Sequence, residues 1–293
     1  MAEDRAWQGR TDGAGWMHNG LVAVMKAVPL RLMYGFATLF VVPFYFLFSK
    51  GRQPMFRFFR QHLGYPPLKS FCWTFLNFRR FSQIIIDRFR MYAGGKFDFE
   101  IDNYHLYQDF AAADPGFLIF SAHVGSYEAA GYTLVATKKR YNALVFSGEA
   151  ESVMRNRQKM FDETNIRMIP VKEDMSHIFL MNSALENGES VSIPSDRIVG
   201  GQKTITCDFF GSPAKFPLGP FVLAAQRDVA VLSIHVMKEA AKKYHIFIEQ
   251  IKGQGDTIRT KAADIAQKYV STIESVLRKY PEQWFNYFDF WKD

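Results

Sequence analysis

Cysteine is nearly absent: Cys72 and Cys207 are the only two in 293 residues, and they lie far apart. Such a pair offers neither a disulfide framework nor the spacing of a metal site, and it fits a reducing, cytosol-facing location. Acid is nearly missing from the stretch Asn19 to Lys96, which holds twelve Lys or Arg and a single acid, Asp87. Charge of either sign is missing from Leu32 to Phe48, which reads LMYGFATLFVVPFYFLF. Residues 1–20 lack the basic stretch, short apolar core and cleavage site of a secretory signal, and are read as a polar tail. No Gly-x-Ser-x-Gly elbow surrounds Ser126, which argues against a serine hydrolase. No nucleic-acid motif, internal repeat or low-complexity tract is visible.

The formal charge of +7 points to an anionic partner, nucleic acid or membrane lipid. The basic residues interleave with aromatics, as in Phe56-Arg57-Phe58-Phe59-Arg60 and Phe75-Leu76-Asn77-Phe78-Arg79-Arg80-Phe81. An interfacial helix needs this mixture to sink an apolar face while its cations meet head groups. The uncharged run falls at the lower edge of a spanning helix, and Pro43 interrupts it. Arg31 on one side and Lys50 and Arg52 on the other leave its orientation open. A full span, an interfacial hairpin and a buried core helix are the three readings. Residues 21–96 are thus expected to be a membrane-associating helical region, and nucleic acid is not expected as a partner.

From Phe97 the texture changes to alternating strand-like and helix-like segments, which predicts an α/β domain over residues 97–293. Expected strands are Phe97 to Ile101, Phe117 to Ser121, Asn142 to Phe146, Arg167 to Val171, Ser190 to Pro194, Val229 to His235 and Tyr244 to Gln250. Expected helices include Tyr127 to Thr137, Ser152 to Thr164, Met175 to Asn187 and Thr257 to Tyr280. The last carries apolar residues every three to four positions and stops at Pro281.

Three stretches carry residues with chemistry. A buried strand ends in Ser121-Ala122-His123, and Glu128 follows in a predicted helix start. The carboxylate can hold one ring nitrogen while the other takes a proton, and the Val124-Gly125-Ser126 turn can offer backbone N–H groups to an oxyanion. The competing reading is a structural histidine at a strand end. Second, Pro194-Ser195-Asp196-Arg197 closes another strand, where ligand crevices open in α/β sheets. Arg197 can grip phosphate or form an ordinary ion pair. Third, Cys207 to Pro220, with Phe209, Phe210 and Gly211, reads as a shaped loop that walls a lipid pocket or merely connects.

In this order, His123 with Glu128, Pro194-Ser195-Asp196, Phe209-Phe210-Gly211-Ser212-Pro213-Ala214-Lys215, Gly219-Pro220, Leu223-Ala224 and Tyr280-Pro281-Glu282-Gln283-Trp284 resemble one family. It is the lipid A late-acyltransferase branch (lauroyl and myristoyl transferases) of the bacterial lysophospholipid acyltransferases. The resemblance implies a single mixed-sheet α/β acyltransferase domain flanked by helices, with an N-terminal membrane-anchoring region. It also implies acyl transfer from an acyl carrier protein thioester, or acyl-CoA, to a hydroxyl of a lipid acceptor at the cytoplasmic face of the inner membrane. His123 would be the general base, Glu128 its orienting partner and Asp196 the acid of the third block. No cofactor, metal or covalent enzyme intermediate is implied.

The departures bear on the acceptor. Family members commonly carry Gln or His where this chain has Arg197, and continue after Pro-Glu-Gln with His-Arg-Arg where this chain reads Trp284-Phe285-Asn286-Tyr287. The family's central basic position has only Arg155 and Arg157 as candidates. Fewer cations suit an acceptor with fewer phosphates. A lipid A precursor ranks first, with an amino-acid-containing or aryl-polyene-type lipid as the alternative and an inactive membrane-binding relative as the non-enzymatic one.

Overall fold

Pro43 does not break the apolar run. A computed structural model describes residues 20, 24, 26–134, 139–146, 165–172, 174–198 and 201–291, and Leu30–Phe48 form one 19-residue helix, α1. Proline has no N–H to donate, so the ladder loosens just before it: Ala37–Val41 make a π turn, and the Val42 N–H reaches back to the Ala37 carbonyl. At 1.5 Å per residue α1 is about 28 Å long, and it is long and apolar enough to cross a membrane. The run is therefore one helix rather than a hairpin.

Helix α2 (Arg52–Arg57) continues into a second π turn over Phe58–His62, and α3 spans Pro67–Tyr92. One face of α1, with Leu30, Tyr34, Ala37, Val42 and Phe46, is buried, and Phe46 packs edge-on against Phe71, Phe75 and Phe78 of α3. The other face exposes Leu32, Phe36, Phe40, Phe44 and Phe48.

The charges of this region divide. Arg57, Arg80 and Arg88 pair with Asp289, Glu282 and Glu128 of the α/β domain. Arg31, Lys50, Arg60, Lys69 and Arg79 stay exposed. Part of the basic excess thus docks the helices onto the domain instead of facing outward. Asp87, the one acid, is fully buried. It accepts hydrogen bonds from Lys238, Tyr34 and Tyr244, so a single desolvated carboxylate ties α1 and α3 to the sheet.

Among the described residues the domain sheet has seven strands. They are β1 (Asp98–Ile101), β2 (Phe117–Ser121), β3 (Tyr141–Phe146), β4 (Ile166–Val171), β5 (Ser190–Pro194), β8 (Ala230–Ala240) and β9 (Lys243–Ile251), ordered β1-β9-β8-β2-β5-β3-β4. Only the β8–β9 pair is antiparallel. Central strands buried on both faces need continuous apolar runs, and β2 supplies one in Phe117-Leu118-Ile119-Phe120.

Helices α4 (Tyr104–Ala112), α5 (Ala130–Thr133), α6 (Ser176–Glu186), α7 (Gly219–Arg227) and α8 (Ile258–Lys279) cover the faces. Thr257 caps α8 through a reciprocal pair with Thr260, and Pro281 ends it as expected. The helix expected from Tyr127 begins as a single 3₁₀ turn, Tyr127–Ala129. The one expected over Ser152 to Thr164 lies outside the described residues.

The third stretch is a correction. Thr204–Phe209 (β6) and Ser212–Pro217 (β7) form a two-stranded antiparallel hairpin rather than a loop. Phe210 (φ 54°) and Gly211 (φ 74°) form its two-residue turn, the positive-φ pair that matches strand twist. Pro213 and Pro217 are tolerated because each strand of a two-stranded sheet is an edge.

Candidate active site

The site begins with register. β2 and β5 are parallel neighbours with Ser121 opposite Pro194, and the Ser195 N–H donates to the Ser121 carbonyl at 2.9 Å. Two residues beyond each strand end, His123 and Asp196 therefore meet. Asp196 Oδ1 lies 2.8 Å from His123 Nδ1, and its Oδ2 accepts the His123 backbone N–H at 2.8 Å. Burial by itself would raise the Asp196 carboxyl, but His123, its two hydrogen bonds and the adjacent Arg197 outweigh it and hold the group below its ordinary value. An anionic Asp196 keeps the proton on Nδ1, so proton exchange with a substrate falls to Nε2.

The turn after His123 is bound on two sides. Gly125 N–H donates to the Gln283 carbonyl (2.8 Å), Ser126 N–H to the Val236 carbonyl (2.7 Å), and Phe285 N–H to the His123 carbonyl (3.1 Å). Gly125 has φ 56°, and a Cβ there would meet the Val236 oxygen at 2.0 Å, so no side chain fits. The Gln283 side chain pairs with both backbone groups of Lys238, and Asn77 of α3 donates to the Glu282 and Trp284 carbonyls. The Pro-Glu-Gln segment is thus a strap holding the histidine turn. Two of the amides expected to face an oxyanion, those of Gly125 and Ser126, are committed to this strap and to β8.

The other expected residues fall as follows. Glu128 is buried and receives Arg88 Nε at 3.1 Å and the Tyr92 hydroxyl at 3.2 Å, both from α3. The sequence leads one to expect Glu128 at one ring nitrogen; the carboxylate found at Nδ1 is that of Asp196, 73 positions from the histidine in sequence. Arg197 donates to the Phe285 carbonyl (2.7 Å) and to Asn286 (3.3 Å), which ties it to the strap rather than presenting it solely as an anion grip.

Phe209 stacks among Trp284, Phe290 and Trp291, and Phe210 packs on Phe58. Phe209, Phe210 and Gly211 are core and turn, not cavity wall. Arg155 and Arg157 lie outside the described residues. The sequence reading missed Tyr269, whose buried hydroxyl donates to the Ser121 carbonyl at 2.7 Å and braces the end of β2. Its helical periodicity marks it only as core.

His123 opens onto a cavity of about 1280 Å³. Leu144, Ile178, Met181, Ile193, Leu218 and Leu223 are among the residues that give it an apolar wall, so the second half of the third stretch lines it although the Phe-Phe-Gly turn does not. Residues 80–293 match the family model for bacterial lipid A biosynthesis acyltransferases. The chain belongs to that family.

A solved structure from Thermotoga maritima, the 1-acyl-sn-glycerophosphate acyltransferase PlsC, is also similar in shape, with a TM-score of 0.41 at 11% identity over 93% of this chain and 100% of that one. No curated protein matches. As a member of the lipid A acyltransferase family the protein is an acyltransferase acting on lipid. Among the described residues of this lipid A acyltransferase relative, Glu100, Glu239 and His245 group their ligand atoms within 4.8 Å. Lys243 already neutralises both carboxylates, at 2.6 and 3.1 Å.

Proposed function

We propose that the protein moves a fatty acyl chain from an acyl carrier protein thioester to a hydroxyl of a membrane lipid, with His123 as general base and Asp196 as its positioning partner. The observation that carries this reading is the His123–Asp196 pair at the mouth of a large apolar cavity. His123 Nε2 takes the acceptor proton while the hydroxyl oxygen bonds to the thioester carbonyl carbon. When the tetrahedral adduct collapses the C–S bond breaks, and the same proton passes to the thiolate, leaving an ester and a free thiol. Acyl-CoA would serve the same chemistry as donor.

The acceptor is a lipid A precursor or a lipid with fewer phosphates. Arg197 tied to Phe285 and Asn286, and a cation-free aromatic strap, favour the second. The exposed stripe of α1 with its neighbouring cations supports attachment to the cytoplasmic face of the inner membrane. The test combines purified protein, acyl carrier protein or CoA thioesters and separate acceptors with the lipid profile of a deletion strain. Transfer to a lipid hydroxyl is expected, and the lipid that loses one acyl chain names the acceptor. Thioester hydrolysis without transfer to any lipid would refute the reading.

A further inference from the structure

Three helices meet at the foot of α1 and leave a cleft of about 540 Å³ between them. Helix α2 lends it Arg52 with Phe56 and Gln53 with Arg57, two pairs four residues apart and so on one side of the helix. Helix α3 lends Phe71 and Thr74, three apart on one face, and α1 lends Phe46.

The cleft has an apolar floor and a basic rim. Phe46 is buried, Phe71 is half exposed, and the Thr74 hydroxyl is spent on the Ser70 carbonyl at 2.7 Å, so the floor offers little to water. At the rim the Arg52 guanidinium lies 5.7 Å from the Phe46 ring centroid. Among the described residues no carboxylate pairs with Arg52, whereas Arg57 meets Asp289 through Nη2 at 2.6 Å. A guanidinium has five N–H donors in a fork, so Arg57 keeps donors for a second anion.

The depth of the cleft follows from the chain. The exposed apolar stripe of α1 runs through Phe40, Phe44 and Phe48 and gives way to the basic segment Ser49-Lys50-Gly51-Arg52. An apolar stripe that turns basic so abruptly marks the level where acyl chains end and phosphates begin.

We propose that the cleft binds one anionic phospholipid, its phosphate between Arg52 and Arg57 and one acyl chain laid on Phe56 and Phe71. Neither half of that ligand suffices alone. A free phosphate leaves the aromatic floor in water, and a neutral apolar ligand leaves Arg52 without a counter-charge. From the functional reading the proposal takes only that this end of α1 meets a membrane. The site is distinct from the reaction chamber, since no residue of the cleft lines the cavity beside His123. It does touch the continuation of the strap: a Cβ on Gly51 would meet Tyr287 Cβ at 2.5 Å, and Arg57 holds Asp289. A bound lipid therefore braces the strap from its far end.

Native mass spectrometry of the delipidated full chain in detergent, with dioleoyl phosphatidylglycerol or dioleoyl phosphatidylcholine added, tests the site. One phosphatidylglycerol is expected to stay bound, preferred over phosphatidylcholine by about tenfold. Arg52→Gln lowers its affinity by about tenfold or more, the loss of one charge-assisted contact, and Phe71→Ala lowers it as well. Arg79→Gln removes the same charge from outside the cleft and leaves affinity near wild type. Circular dichroism establishes that the variants are folded. Thermal melts repeat the comparison, because a ligand that binds only the folded state raises the melting temperature: phosphatidylglycerol does so in wild type and Arg79→Gln, and less in Arg52→Gln. Equal losses in Arg52→Gln and Arg79→Gln, equal affinity for the two lipids, or displacement of the lipid by excess inorganic phosphate would each overturn the proposal. The functional reading fails separately, in a protein that transfers no acyl group to lipid yet still retains phosphatidylglycerol through Arg52.

Discussion

Asp196 holds His123 twice, by the ring at Nδ1 and by the main chain at the backbone N–H, each at 2.8 Å. A carboxylate that fixes both the orientation of the imidazole and the turn carrying it leaves the ring one pose toward the cavity. Removing the proposed base, as in His123→Ala, is expected to lower kcat by about 10²–10⁴-fold without loss of fold or membrane binding.

The same geometry separates two carboxylates. Asp196→Asn keeps the shape but removes the charge that retains the proton on Nδ1, so kcat falls by about a hundredfold or more with KM nearly unchanged. Glu128→Gln is expected to cost less in kcat and more in thermal stability, because its described partners are Arg88 and Tyr92. Steady-state kinetics beside thermal melts decide the matter. A larger kcat loss in Glu128→Gln would return the positioning role to Glu128.

Gly125→Ala places a methyl group 2.0 Å from the Val236 carbonyl at a φ of 56°. Strain of this kind costs about 1–3 kcal/mol, and here it also pushes the histidine turn off its strap. Both the melting temperature and the transfer rate are expected to drop, whereas Gly35→Ala, with open space around it, leaves both near wild type.

Lys238 and Asp87 are both fully buried. Lys238→Met strands a carboxylate in the core and should destabilise by about 3–5 kcal/mol, while Asp87→Leu with Lys238→Met recovers most of the loss. Urea unfolding of the two variants gives the comparison, and equal instability in both would show that the pair acts through more than its charge.

His235 is buried against Ser233 and Thr272, and desolvation lowers its pKa to about 4. The unfolded chain binds that proton near pH 6.5. Stability from this group is full above about pH 6.5 and falls as acid approaches pH 4, since the unfolded state then holds more protons, for a total of about 3 kcal/mol. His235→Gln should flatten the dependence of unfolding free energy on pH across that window. A profile as steep as wild type would assign the acid sensitivity elsewhere.

Much of this was legible in the chain because it is local. The run Phe117 to Phe120 is apolar without interruption, so β2 follows from composition. The periodicity from Ile258 and the stop at Pro281 define α8, and His123 stands out as a polar residue at a strand end. The uncharged stretch from Leu32 and the scarcity of acid around it marked an apolar segment without deciding between one helix and a hairpin.

What tertiary structure alone decided is pairing over distance. Sheet order sets β5 beside β2, and that adjacency makes Asp196 the partner of His123 in place of the nearer Glu128. Nothing in the local pattern around Glu128 could show that Arg88 and Tyr92 would claim it, or that the aromatics of Phe209-Phe210 would turn into the core. Side-chain spacing reports which residues share a face of one element. Which faces meet depends on the register of strands far apart in sequence, and that register brings His123 and Asp196 together.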